Sequence, residues 1–373
     1  MTTKKRTISN TNPRRVNNVK QKKQKNARFN IKEPFGKAII GYFYDHATTA
    51  GHVLLSVAKF FSVLGVVIYI AVPTSIWLDS SLAAELVFLN HLQWPPFRDL
   101  RHPEKYGLEK TFLLQIDRDN DMQLGAWLVL SGNHSELYTE KNYTLALKSG
   151  IPTFLYLHGN AGTRAAWHRT RLYNVIAKTA GYNVLAIDYS GFGDSKGRPS
   201  EEQVIGDALA AYKWLLKHES KVFIWGHSLG TAISLGLAER LSLLKESYEG
   251  IILEAPFNRL EDAAKHFPLA QPFMRIPPIA DIFFQAFAKQ NLRFISEERI
   301  TKVNSPILIL HAYDDGIVPF ELGEKLLSAA RASNRKVSFK AFNADLGYGH
   351  KHIHKYPNLA RLVKKFVSNC SNT

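Results

Sequence analysis

The sequence predicts an α/β protein: a mostly parallel eight-stranded sheet with helices on both faces, preceded by one transmembrane helix. Three observations predict it. Eight short apolar, β-rich runs alternate with stretches whose apolar residues recur at three and four positions, the pattern of a sheet covered on both faces. The 19 residues from Phe60 to Leu78 carry no charge, which is transmembrane length. With 373 residues, 45% of them hydrophobic, the chain also has enough apolar material for one large core.

Residues 1–52 read as a basic cytosolic tail. The net charge is +16, and residues 1–37 carry twelve Lys or Arg against the single acid Glu33, so most of the excess lies in a segment rich in Lys, Asn and Gln. Such a segment buries too little apolar surface to fold and is expected to be disordered. With the charge in the tail, anionic lipid headgroups are a better-motivated partner than nucleic acid, which is not expected to bind. Residues 53–78 are expected to span the membrane once, with Lys59 snorkelling to the interface. A buried core helix is the alternative; a cleaved signal peptide would be shorter and nearer the start.

The stretch "DSSLAAEL" after the span holds acids and no base, so the positive-inside rule places the tail in the cytosol and the rest on the opposite side. Residues 79–107 form a connector in which "LAAELVFLNHLQW" is a candidate interfacial helix. Asn133-His134-Ser135 and Asn142-Tyr143-Thr144 are candidate glycosylation sites, consistent with a lumenal domain, although chance supplies about two in a chain this rich in Asn. The one cysteine, Cys370, excludes an intrachain disulfide.

Residues 108–368 hold the sheet. Its runs are "KTFLLQI" (110–116), "LGAWLVL" (124–130), "PTFLYLHG" (152–159), "NVLAIDYSG" (183–191), "KVFIWGHS" (221–228), "GIILEAP" (250–256), "PILILHA" (306–312) and "KVSFKAF" (336–342). The turn-rich "DRDND" between the first two suits an antiparallel hairpin at the sheet edge. Helical stretches such as "EEQVIGDALAAYKWLLKH" separate the later runs, so they read as parallel strands with crossover helices in one domain.

The strongest chemical signal is Gly226-His227-Ser228-Leu229-Gly230, a G-x-S-x-G elbow with an apolar strand before it and a helix after it. A strand that turns at once into a helix strains the serine, and Gly226 and Gly230 let neighbouring backbone pass without a clashing Cβ. Gly193-Asp194-Ser195-Lys196-Gly197 matches the same pattern but follows a Gly-rich loop, so Ser195 reads as a loop serine and Ser228 as the nucleophile. The acid is expected after the seventh run, where Asp314 and Asp315 are adjacent. Asp315, at the tip of Asp-Gly-Ile-Val-Pro, is preferred and Asp314 stays open. The base must follow the last strand, where "GYGHKHIHK" offers three histidines. His350 follows the turn directly and is the candidate; His352 and His354 read as surface. His350 and His354 have a spacing that zinc sites use, but no third ligand cluster is near, so no metal is expected. The oxyanion donors are the N–H groups of Leu229 and of Asn160 in "HGNAG".

Together "LYLHGNAG", "IDYSGFGDSKG", "WGHSLGTAI", "LEAPF", "LILHAYDDGIVP" and "DLGYGHKHI" resemble the membrane-anchored α/β-hydrolase-domain serine hydrolases that act as lysophosphatidylserine and monoacylglycerol lipases. The likeness covers roughly residues 105–367, with 87 residues from Ser228 to Asp315 and 35 more to His350. The resemblance implies an α/β-hydrolase fold, a Ser228–Asp315–His350 triad, a domain facing the lumen of the endoplasmic reticulum, and hydrolysis of single-chain glycerol lipids without a cofactor. Ser190 stands where many relatives of the fold carry Arg, a loop variation.

Residues 257–300 separate two strands by far more than an ordinary connection and are rich in Phe, Pro and Ile, as a lid lining an acyl channel would be. Arg164 and Arg169, near the oxyanion loop, are candidate contacts for an anionic headgroup. A protein depalmitoylase and a non-catalytic membrane scaffold on the same fold are the competing functions.

Overall fold

The computed structural model describes residues 34–92, 99–118, 122–132 and 138–371, with the side chains of 34–45 and 47 outside that description. The expected disorder of residues 1–33 and the Asn133 sequon therefore lie outside the described residues. The chain divides into two compact units, Met1–Gly65 and Val66–Thr373.

Helix α1 runs Pro34–Leu78, 45 residues, and Thr48–Leu78 is long and apolar enough to cross a membrane. The helix begins well before residue 53, where the span was expected to start. Pro34 suits a first helical turn, where its missing N–H costs nothing, and no further proline follows until Pro73. Helix α2, Leu82–Phe88, follows at once. It begins the stretch expected to lie at the interface and buries one face on the domain: Ala83, Val87 and Phe88 are buried, and the Phe88 ring meets Phe192 and Phe294 edge-on.

Strands β1 (Thr111–Arg118), β2 (Met122–Val129), β3 (Thr153–Leu157), β4 (Asn183–Ile187), β5 (Val222–His227), β6 (Gly250–Glu254), β7 (Ile307–Ala312) and β8 (Val337–Phe342) form one sheet in the order β1-β2-β4-β3-β5-β6-β7-β8. The β1–β2 hairpin is antiparallel, β2 joins β4 antiparallel, and the other pairings are parallel. Burial on both faces explains the unbroken apolar runs. In β5, Val222 and Ile224 enter one core while Phe223 and Trp225 enter the other, the two-residue alternation of a strand covered above and below.

Helices α3 (Trp167–Asn174), α4 (Glu201–Lys217) and α5 (Leu229–Leu244) pack against the sheet; Ser200 caps α4 by accepting from the Gln203 N–H. The long insertion folds into α6 (Leu260–His266), α7 (Gln271–Met274), α8 (Pro277–Lys289) and α9 (Ser296–Arg299). Helices α10 (Phe320–Ala332) and α11 (Leu359–Ser371) complete the layers.

Candidate active site

The carboxyl ends of β3, β5, β7 and β8 lead into the loops that hold the candidate residues, as expected for an open parallel sheet. Between β5 and α5 the chain reverses at Ser228, whose φ of 52° and ψ of −120° are unfavourable for a side-chain-bearing residue. The turn is locked from both sides. Ser228 N–H donates to the Glu254 carbonyl at 2.9 Å, and its own carbonyl accepts from the Thr231 N–H and hydroxyl. A Cβ on Gly230 would overlap the Leu157 carbonyl, and one on Gly226 would meet the Gly230 carbonyl and the Ser234 hydroxyl. Both elbow glycines are thus required by backbone packing.

Ser195 sits elsewhere. Its hydroxyl donates to the Asp188 carbonyl at 2.7 Å and accepts from the Gly125 N–H at 2.9 Å, pinning its loop to β2.

After β7 the two adjacent carboxylates diverge. Asp315 Oδ1 accepts from the N–H groups of Ile317 and Val318, each at 2.9 Å, and Oδ2 lies 2.8 Å from His350 Nδ1. Burial alone would raise the Asp315 carboxyl; the imidazoles of His350 and His311 outweigh it and hold the group well below the usual carboxylate range. Asp314 turns away and accepts from the Gly349 N–H at 2.9 Å, fixing the loop that carries His350. His350 is buried, and its carbonyl accepts from His227 Nε2 at 2.8 Å, which ties that loop to the elbow. With Nδ1 donating to Asp315, the other ring nitrogen is the acceptor.

The other two histidines belong to the surface of this loop. His352 stacks on Trp167 with ring centroids 5.2 Å apart, and His354 Nδ1 meets the Lys351 carbonyl at 3.0 Å. Among the described residues no three His, Cys, Asp or Glu gather as a metal site.

The loop after β3 is braced by Arg169, which is the correction to its expected role. Its guanidinium donates to the carbonyls of Thr163 (2.7 Å), Gly159 (3.1 Å) and Ala161 (2.9 Å) and is buried, so it has no reach toward a headgroup. Arg164 is likewise corrected: it is 2% exposed and held by Asp188 and Asp194, each at 2.6 Å, over the face of Trp127. Their charge neutralises the buried Asp188 carboxylate and the loop dipoles. From outside, the connector grips the same loop: Ala161 N–H donates to the Phe88 carbonyl and Gly162 N–H to that of Leu92, both at 2.9 Å. The last candidate of the loop, Asn160, lines a cavity together with Ser228 and Leu229.

That cavity measures about 270 Å³. Beyond those three residues its walls are apolar, supplied by the 257–300 insertion, by α1, by α2 with Leu89 at its end, and by Ile317 and Val318 of the loop after β7. It can hold a hydrocarbon chain with its polar end at Ser228.

Three further groups bear on the site. His227 and His311 are buried histidines within reach of His350 and Asp315, and Glu254 beneath the elbow accepts from Trp225 Nε1 at 2.9 Å. Burial pushes the Glu254 carboxyl up to about 7. A polar residue closing an apolar strand was the one sequence signal for each. At Asn142, a half-buried side chain, Oδ1 accepts from the Thr139 N–H and hydroxyl at the start of a short helical turn.

The α/β hydrolase fold family matches residues 152–278. The lysophosphatidylserine lipase ABHD12 of Danio rerio is 38% identical over 309 residues, covering 80% of this chain and 81% of that protein. Its counterpart in Macaca fascicularis is 38% identical over 316 residues, 82% of this chain and 79% of that one. Among solved structures, the esterase Pf2001 of Pyrococcus furiosus superposes with a TM-score of 0.53 at 21% identity, over 72% of this chain and 92% of that one, a likeness of fold.

Proposed function

This chain belongs to the lysophosphatidylserine lipase ABHD12 family of α/β hydrolases, and on that premise we propose that it is a membrane-anchored serine hydrolase cleaving the acyl ester of single-chain glycerol lipids. Lysophosphatidylserine is the first substrate to test and monoacylglycerol the second. The observation that carries the reading is the strained Ser228 in an apolar cavity, with the His350–Asp315 pair tied to its elbow.

In the proposed reaction Ser228 Oγ attacks the ester carbonyl while His350 Nε2 takes its proton. Asp315 holds the Nδ1–H tautomer and stabilises the imidazolium that forms. The oxyanion is met by the N–H groups of Leu229, at the positive end of α5, and of Asn160. His350 then protonates the departing glycerol oxygen, and water, deprotonated by the same imidazole, releases the fatty acid from Ser228. His350 carries every proton transfer and the N–H groups meet the oxyanion, so the scheme calls for no cofactor. The Thr48–Leu78 helix would keep this chemistry at the bilayer where single-chain lipids partition, with the basic tail cytosolic and the domain in the lumen of the endoplasmic reticulum.

Purified full-length protein incubated with lysophosphatidylserine, monoacylglycerol and a palmitoylated peptide tests the substrate class. Preference for a glycerol ester supports the reading; preference for the thioester assigns a depalmitoylase, and inertness toward all three with unlabelled Ser228 assigns a scaffold.

A further inference from the structure

The last turns of the membrane helix do more than connect. In the unit Val66–Thr373, Tyr69, Val72, Pro73 and Ile76 recur at helical spacing and are buried or half-buried, whereas Val67, Ile70 and Trp77 around them are exposed and Ile68 is partly so, at 45%. The Tyr69 ring stacks on Phe273 of α7 at 5.1 Å and 20°, and its hydroxyl donates to the Pro272 carbonyl. Phe273 in turn packs on Phe283 of α8, and beyond the helix end the Ser80 hydroxyl accepts from Gln290 Nε2 at 2.9 Å. The helix is thereby joined to the insertion at two places. Ile68 and Val72 line the same cavity as Ser228.

The length of α1 permits this. Its membrane-competent part has 31 residues, about 46 Å at ~1.5 Å per residue, against ~30 Å of hydrocarbon. About 20 residues suffice to cross. The helix is thus about eleven residues longer than a crossing needs.

Resting on the reading of Ser228 as the nucleophile, we infer that the membrane helix is itself a wall of the acyl-binding site, with Ile68 and Val72 contacting the substrate hydrocarbon and setting its length preference. The insertion alone does not enclose the cavity. An acyl chain that extends from the Ser228 ester runs between the insertion and α1, so the anchor takes part in specificity as well as in location.

The test uses full-length protein in detergent micelles with octanoyl and stearoyl lysophosphatidylserine, and with short-chain and long-chain alkyl fluorophosphonates as labels for Ser228. Ile68→Trp and Val72→Trp are expected to lower the stearoyl-to-octanoyl ratio of kcat/KM, and the long-to-short labelling ratio, about tenfold or more. Ile70→Trp, on the exposed face, leaves both ratios unchanged, and Val72→Ala shifts them toward longer chains. Normal short-chain labelling of each variant certifies its fold. Ratios for Ile68→Trp and Val72→Trp that superimpose on wild type overturn the inference. If wild type is labelled but hydrolyses no lysophospholipid, the substrate reading fails alone, and the labelling ratios still decide whether α1 is a wall. If no fluorophosphonate reacts with Ser228, both readings fall.

Discussion

Asp315→Asn separates chemistry from stability at a single atom. Asp315 Oδ1 accepts two backbone N–H groups of its own turn, so an asparagine must keep its oxygen there and present its amide nitrogen to His350. Two donors then face each other at His350 Nδ1. The imidazole escapes by moving its proton to Nε2, which leaves no acceptor for the Ser228 proton. In a triad treated this way turnover falls about 10⁴-fold, roughly 5 kcal/mol of transition-state stabilisation. The fold keeps the hydrogen bonds of the turn and loses the charge that strengthens them, about 1 to 3 kcal/mol. Asp314→Asn, which keeps an oxygen for the Gly349 N–H, should lower kcat by no more than about tenfold. Initial rates on lysophosphatidylserine, with thermal unfolding of the same samples, provide the assay. Full activity in Asp315→Asn beside a thousandfold loss in Asp314→Asn would refute the assignment of the acid.

Other outcomes follow from the same contacts. Arg169→Ala leaves the carbonyls of the β3 loop without their shared donor and is expected to lower kcat about 10²-fold with KM little changed, read from steady-state kinetics. Arg164→Gln strands the buried Asp188 carboxylate and is expected to cost about 3 to 5 kcal/mol of stability, lowering Tm while leaving KM for the anionic lipid unaltered in the folded fraction. Gly230→Ala drives a methyl into backbone carbonyls of Leu157 and His158 and should cost about 3 kcal/mol or more, measured by thermal unfolding. Glu254, raised from 4.5 to about 7, is protonated in the folded state at pH values where the unfolded chain has ionised it. Its contribution to stability is therefore full below about 4.5 and is lost as pH rises to about 7. The shift corresponds to about 3 kcal/mol, so Glu254→Gln should flatten the decline in Tm between those limits. A decline of equal size in the variant would assign it to other groups.

The elbow was legible because its parts are contiguous: strand, glycine, serine, glycine and helix follow one another, and each is forced by backbone packing. Chain order alone led to the loop that carries His350. The choice between Asp314 and Asp315 was less open to sequence reasoning, since neighbouring side chains diverge according to which backbone N–H groups each one caps. Arg164 and Arg169 misled for a related reason. Their partners lie 24 and 30 residues away at Asp188 and Asp194, or are carbonyls, which leave no mark in a sequence. The strapping of the loop after β3 by Phe88 and Leu92 runs through backbone atoms and was equally hidden. In α1, hydropathy gave the apolar segment, but the helix ran on through residues whose composition had suggested a tail.

The central claim is that Ser228 carries the acyl group between ester and water. Lysophosphatidylserine is mixed with the purified protein, the reaction is quenched within the first turnovers, and the peptide containing Ser228 is weighed by mass spectrometry. The account predicts an acyl adduct on Ser228 in wild type, increased when deacylation is slowed, and absent in Ser228→Ala together with hydrolysis. Continued hydrolysis by Ser228→Ala, with no adduct on the wild-type peptide, would contradict it.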